Sequence, residues 1–452
     1  MSTYEDQPNQ PIADKPAMDN RRGFLKASSV LVTGGAMVGT LPIARAAHTF
    51  DSGEIKIGLV GCGGRGTGAA TQALDTNSSE NRIKLTAVAD PFQFRIDDAL
   101  KGIRKNHAER VDVADKTFVG VDAFKRLIDS DIDMVILTSP PGFRPLHFET
   151  AINAGKHVFM EKPVATDAPG VRRVLAANKI AKEKKLVVAV GLQRHHESGY
   201  QATIAKLKEG AIGDINFMRC YWNNDGVWTR PRKPEQSELE YQMNNWYYFN
   251  WLSGDHICEQ HIHNLDVINW LMDGPPETAQ GQGGRQVRTG PDSGQIFDHH
   301  MIEYTYKNGV KLLSQCRHIP GAWSAVSEFA HGSKGWCDIG GGKIYDRDNK
   351  EIWKAPKNEN GHAKEHVDLF AEIRKGVVPN EGDNGAYSTM TSIMGRMATY
   401  TGKVVKWDQC LNSKISLANT DAMSSFASEA PIQPEDGKYW VPTPGIDPEL
   451  VI

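Results

Sequence analysis

The segment Glu54-Ile55-Lys56-Ile57-Gly58-Leu59-Val60 is a short apolar run that ends abruptly in Gly61-Cys62-Gly63-Gly64-Arg65-Gly66. Such a run reads as a buried strand, and a helix-like stretch from Thr67 to Leu74 follows at once. The spacing Gly61-x-Gly63-x-x-Gly66 then has a physical use. The first glycine makes the tight turn, the second lets backbone approach a pyrophosphate, and the third lets helix and strand pack closely. Amides at the helix start would hold the phosphate charge. A second strand, Ile83 to Ala89, ends in Asp90, whose carboxylate can accept hydrogen bonds from a ribose and would repel a 2′-phosphate. NAD is therefore favoured, while nearby Arg95 keeps NADP open and Asp90 before Pro91 could instead be a plain helix cap.

The alternation continues along the chain. Met134 to Thr138 is a strand broken by Ser139-Pro140-Pro141; Pro145 to Ala154 is a helix closed by Gly155; His157 to Glu161 is a strand leading into Lys162-Pro163. A helix over Val171 to Lys184 precedes another strand, Val187 to Val190. Strands separated by helices imply a doubly wound parallel sheet with ligands at the strands' carboxyl ends. The candidate cofactor-binding set is therefore Gly61, Gly63, Gly64, Arg65, Gly66, Asp90, Ser139, Pro140, Glu161 and Lys162. From Asp214 the pattern changes: Ile215 to Trp222 and His300 to Tyr306 alternate, and Lys307-Asn308-Gly309-Val310 reads as a hairpin turn. This predicts an α+β domain with a large, mostly antiparallel open sheet. Glu365 to Lys375 and Ala386 to Thr401 read as helices closed by Gly376 and Gly402. The expected domains are 47–191 (Rossmann), 192–410 (α+β, its helices near 362–402 packing back on the first domain) and an extended tail over 411–452.

Chemistry concentrates in Glu259-Gln260-His261-Ile262-His263-Asn264-Leu265-Asp266. On one continuous helix Glu259, His263 and Asp266 share a face, and His261 points roughly 200° away from Glu259. Both histidines could instead be hydrogen-bonded inside a helix start. Glu259, His261 and His263 as a metal site is disfavoured, because residues two apart cannot converge from a regular helix, so no metal is expected here. Gln193, Arg194 and His195 follow a strand's carboxyl end and join Glu259 and His261 as candidate substrate-binding residues. Trp222, Trp228, Arg230, Arg232, Trp246, Tyr247, Tyr248 and Trp251 offer flat rings and donors of the kind sugars need, although ordinary packing explains any single one of them.

Gly61-x-Gly63-x-x-Gly66, Pro140-Pro141 with His147 after it, Ala154-Gly155-Lys156-His157-Val158 and Glu161-Lys162-Pro163 together resemble the Gfo/Idh/MocA oxidoreductase family, in order, from about Ile55 to Asp408. The resemblance implies a Rossmann domain and an α+β domain whose open sheet lies beside a nicotinamide. It implies dimers or tetramers, and chemistry on a hydroxyl of a sugar, inositol or similar polyol. It makes Lys162 a catalytic or substrate-orienting residue before a cis proline, and places His263 and Asp266 on the reacting hydroxyl, with Asp266 orienting His263. The chain departs from the family's acid-x-Gly-x-His-x-x-Asp pattern at Glu259, where aspartate is common, and at His261, where glycine is common.

A formal charge of −3 argues against a nucleic-acid binder, and six cysteines without a CxxC pair argue against a disulfide scaffold. Asn20-Arg21-Arg22-Gly23-Phe24-Leu25-Lys26, a mildly apolar run and Ala44-Arg45-Ala46 resemble a twin-arginine export signal over 1–46, which implies the export machinery as partner, a periplasmic destination and no membrane span afterwards. That route carries folded proteins and suits one that must take up a cytoplasmic cofactor. Three functions fit: an NAD-dependent sugar or polyol dehydrogenase, a glycosidase that oxidises transiently on a retained, tightly bound NAD, and a non-catalytic sugar or nucleotide sensor. The first is preferred, because a sensor needs no proton relay of Lys162, His263 and Asp266.

Overall fold

The computed structural model describes residues 53–79 and 81–446. The expected export signal lies outside them. Among the described residues two sheets dominate. The first contains β1 (Glu54–Val60), β2 (Arg82–Asp90), β3 (Thr117–Val119), β4 (Met134–Leu137), β5 (His157–Met160) and β6 (Val188–Val190) in the order β3-β2-β1-β4-β5-β6. Every pairing is parallel. Alternate residues of these strands feed two apolar clusters: Ile55, Ile57 and Leu59 with Phe159 on one face, Val60, Val135 and Leu137 with Met160 on the other. Burial on both faces is why the strands read as continuous apolar runs. The order reverses between β1 and β4, and a crevice opens there at the strands' carboxyl ends.

The second sheet contains β7 (Ile215–Asn224), β8 (Thr278–Gly284), β9 (His299–Thr305), β10 (Lys311–His318), β11 (Ala325–Gly332), β12 (Gly335–Asp338), β13 (Lys343–Asp346), β14 (Glu351–Lys354) and β15 (Val405–Lys406). Its order is β14-β13-β12-β11-β7-β10-β9-β8-β15. Only β7 and β10 run parallel, the other pairs being antiparallel. The predicted hairpin joins β9 to β10, with Gly309 at φ +79°.

Two helices tie the sheets together. Helix Gly361–Arg374 sends Leu369, Phe370 and Ile373 into the apolar cluster under β1. Helix Gly382–Thr401 is buried over most of its length, and the Thr389 hydroxyl accepts the Val164 amide at 3.1 Å. At Gly395 an added Cβ would sit 2.0 Å from the Tyr304 hydroxyl, so the helix meets the second sheet there without a side chain. All six cysteines are buried and none is paired. No helix among the described residues is long and apolar enough to cross a membrane.

The chain beyond Asp408 is fastened down. Met423, Phe426, Ala430, Ile432 and Tyr439 pack with Leu239, Tyr241, Phe249 and Trp251. Arg173 pairs with both Glu149 and Asp421, and Asp167 accepts the Leu417 amide at 2.8 Å. The Phe426 ring lies 5.0 Å from Phe92, at the edge of the crevice. Replacing half-buried Phe426 by alanine is expected to cost about 2 kcal/mol, below a full core Phe→Ala, and to expose the tail to protease. Urea unfolding with limited proteolysis reads both effects.

Candidate functional site

The site begins at the glycine turn. Gly61 has φ +94°, and a Cβ there would lie 2.5 Å from the Ser139 amide nitrogen. A Cβ on Gly66 would fall 1.9 Å from the Gly61 carbonyl oxygen, so helix and strand close on each other only through glycine. Gly64 faces open space instead, a Cβ there meeting nothing within 4 Å, and a Cβ on Gly63 would meet the Arg95 guanidinium at 3.8 Å, an ordinary contact. Helix Gly64–Asp75 has no side-chain cap at Gly63 and no acidic residue in its first turn. Its amides and positive dipole end therefore stay available to an anion.

From this turn a cavity of about 470 Å³ runs to the front of the second sheet. Gly61, Gly63, Gly64, Arg65, Gly66, Asp90, Arg95, Ser139 and Pro140 line one end, and Lys162, Glu259, His263, Trp222, Trp228, Arg230 and Trp246 the other. Asp90 ends β2 with one oxygen accepting the Cys62 amide at 2.7 Å and the other the Phe92 amide at 2.9 Å. Burial raises its pKa against those bonds and the nearby Arg95. The Arg95 guanidinium lies over the Phe94 ring at 5.2 Å. The residues present fit a dinucleotide: an uncapped helix start for a pyrophosphate, and a carboxylate for a ribose, each of whose oxygens keeps a lone pair.

Behind the turn, Arg65 pairs with Glu161 and with Glu365. Burial pushes the Glu161 carboxyl up, but Arg65 and Lys162 outweigh it and hold it below the usual range. Glu365 is driven well above its usual value by burial and by the Glu161 charge. The Lys162–Pro163 peptide is cis, and Lys162 Nζ donates to the Glu259 carbonyl and to its carboxylate at 3.0 Å. His263 is buried with its ring stacked on Trp222 at 5.8 Å, and its Nδ1 has no partner among the described residues. Burial, then Lys162, pushes its pKa well down, so the imidazole is neutral.

The expected helix through Glu259 is broken. One short helix ends at Glu259, and Ile262–Leu271 begins after Gln260-His261. Glu259 and His263 both face the cavity across the break, while Asp266, on the same helix as His263, turns away. Asp266 accepts from His195 Nε2 at 2.8 Å, Ser388 at 2.8 Å and Asn384 at 3.1 Å, so it orients His195 and not His263. His195 stacks on Trp270 behind the cavity. Arg194, His261 and Gln193 also fall outside the cavity lining. Buried Arg194 pairs with Glu328, which also accepts from Asn264. His261 joins Ser314 at 2.7 Å and Asn264 at 3.2 Å, and Gln193 packs at the start of helix Gly361–Arg374. Of that set, Glu259 alone lines the cavity.

Several lining residues were missed, Gln260, His362 and Arg144 among them. Gln260 sits at the helix break, and His362 arrives from the distant helix Gly361–Arg374. Arg144, fully buried, donates to the Ser139 and Pro163 carbonyls and so shapes both cavity walls. Burial pulls it down to about 10 against Glu161 and Glu259.

Two family models match: "Oxidoreductase family, NAD-binding Rossmann fold" over residues 55–192 and "GFO/IDH/MocA C-terminal domain" over 200–337. The chain belongs to the Gfo/Idh/MocA family. Within it, the chain is similar to an inositol 2-dehydrogenase of Klebsiella pneumoniae, 29% identical over 196 residues, 42% of this chain and 50% of that protein. It is similar to a 1-carboxy-3-chloro-3,4-dihydroxycyclohexa-1,5-diene dehydrogenase of Comamonas testosteroni, 26% identical over 75% of this chain and 70% of the other. The chain spans about half the length of the first curated relatives it matches. In fold it resembles scyllo-inositol dehydrogenase of Lactobacillus casei, solved with NAD(H) and scyllo-inositol. The TM-score is 0.59 at 21% identity, over 78% of this chain and 99% of that one.

Two expectations separate structural from site residues. Arg194→Met should cost about 3–5 kcal/mol in urea unfolding by leaving Glu328 unpaired and buried. His196, against Asp368 at 3.0 Å and Glu381 at 3.2 Å, is raised to about 9 because those carboxylates overcome burial. Its stabilisation is full below the unfolded value of about 6.5 and is lost as pH rises through about 9. His196→Gln should flatten stability across that window.

Proposed function

We propose that this chain is an NAD-dependent oxidoreductase that moves a hydride between the cofactor and a secondary hydroxyl of a sugar, glycoside or polyol. One observation carries the reading: a single cavity joins an uncapped glycine turn to Lys162, Glu259 and a neutral His263. The family description and the inositol dehydrogenases among the relatives support both cofactor and substrate class. Asp90 would hold the ribose and the amides after Gly63 the pyrophosphate, with Ser139 and Pro140 as a wall.

Bound NAD supplies the hydride acceptor. Lys162, anchored on Glu259, donates a hydrogen bond from Nζ to the reacting oxygen. The neutral His263 imidazole accepts the hydroxyl proton, and Trp222 holds that ring flat against the pocket. Trp228 and Trp246 give the sugar's C–H faces a surface to lie on. Arg230, stacked on Trp228 at 4.1 Å, offers donors to its hydroxyls.

The reading extends to export through the twin-arginine route to the periplasm with NAD already bound, on the strength of Arg21-Arg22 and Ala44-Arg45-Ala46. It extends also to a homo-oligomer formed through the outer face of the second sheet, where Met301, Gln315 and Tyr221 stand in register and Met301 is exposed.

Protein purified without added cofactor and extracted under denaturing conditions should release stoichiometric NAD(H). Lys162→Ala should keep that dinucleotide while turnover of polyol substrates falls about 10²–10⁴-fold. Normal turnover in Lys162→Ala would overturn the assignment.

A further inference from the structure

A second group of chemistry-bearing side chains lies outside the cavity lining. Asp255, His256 and His300 are fully buried, and one ligating atom from each lies within 4.8 Å of the others. His300 Nδ1 meets the Thr399 hydroxyl at 2.8 Å. That hydroxyl spends its single proton on the Gly395 or Arg396 carbonyl, so it accepts from His300 Nδ1–H. The neutral ring then presents a bare Nε2, and this atom faces Asp255 Oδ2 at 3.2 Å.

Oδ2 is itself an acceptor, already taking the Tyr400 hydroxyl at 2.6 Å and the Phe297 amide at 3.0 Å. His256 Nδ1 lies 2.7 Å from Asp255 Oδ1, yet neither of its ring nitrogens has a hydrogen-bonded partner among the described residues. Three buried ring nitrogens, His300 Nε2 and both of His256, thus stand without a hydrogen-bonded partner beside a buried carboxylate. Asp255 has φ +74°, a conformation non-glycine residues rarely hold, and it follows Gly254 at φ +76°.

We propose that Asp255, His256 and His300 bind one divalent transition-metal ion of the zinc class. Two imidazole nitrogens and a carboxylate oxygen are the donors such ions prefer over magnesium or calcium. The two rings flank the carboxylate, His256 Nδ1 at 2.7 Å from Oδ1 and His300 Nε2 at 3.2 Å from Oδ2, with one ligating atom of each residue within 4.8 Å of the others. Thr399 on His300 Nδ1 is the outer partner that fixes a ligating ring. The ion pins the short helix His256–Glu259 to β9, so it positions Glu259 and Gln260 at the cavity without touching substrate.

Metal content of the full-length protein tests this independently of any activity. After desalting, mass spectrometry of the metals should find about one zinc-class ion per chain, and chelated protein reloaded with Co²⁺ should show visible d–d bands. His300→Gln and Asp255→Asn should each weaken retention about tenfold or more, whereas Lys162→Ala should not. Retention by both variants equal to wild type overturns the proposal, as does wild-type protein that keeps neither zinc nor cobalt. Should a variant fail to fold, X-ray absorption on the wild type decides: two imidazole ligands at the metal support the site, and fewer overturn it.

Discussion

A guanidinium held between two buried carboxylates organises the site. Arg65 comes from the glycine turn, Glu161 from the end of β5 and Glu365 from a helix far down the chain. Two carboxylates so close cannot both ionise in a dry setting. Arg65 and Lys162 hold Glu161 toward its charged form, while burial and the Glu161 charge drive the Glu365 carboxyl well up. The arrangement locks the turn, the strand end and the second half of the fold into one register. Lys162 follows Glu161 directly, so its reach to Glu259 depends on the same lock.

Around the interruption between Glu259 and Ile262, neighbouring side chains have separate tasks. A continuous helix would have set Glu259, His263 and Asp266 along one stripe. Instead His263 meets the cavity, His261 the second sheet, and Asp266 the buried helix Gly382–Thr401. His261, Asn264 and Asp266, turned away from the cavity, all have hydrogen-bond partners, so the wall they form behind the site is a hydrogen-bonded scaffold. Arg194 with Glu328 and Asn264 belongs to that scaffold.

Much of the fold was legible because local signals and burial agreed. β1 with its glycine turn, the apolar runs of β4 and β5 and the Gly309 hairpin each carry a pattern that one structure satisfies. The reach of Lys162 was legible from its place at a strand's carboxyl end. Gln193, Arg194 and His195 occupy a similar place, yet they fold under the next element. Which residue after a strand faces a crevice depends on the turn that follows, here a short helical turn from Gln193 to His196. His362 and the Asp255–His300 cluster were illegible for another reason. Their partners come from distant segments, and no spacing rule links β9 to a turn 45 positions earlier.

The six unpaired thiols have a bearing on where this chain can acquire its structure. Each is screened from solvent once packing is complete, and burial pushes Cys62, Cys220, Cys258, Cys316, Cys337 and Cys410 away from the reactive thiolate form. An unfolded copy in an oxidising compartment would expose all six, with many wrong pairings open and no native pairing to end the search. A copy that packs in a reducing compartment first meets oxidant with its sulfur atoms out of reach. For a chain sent to such a compartment, folding before exposure would serve as the antioxidant.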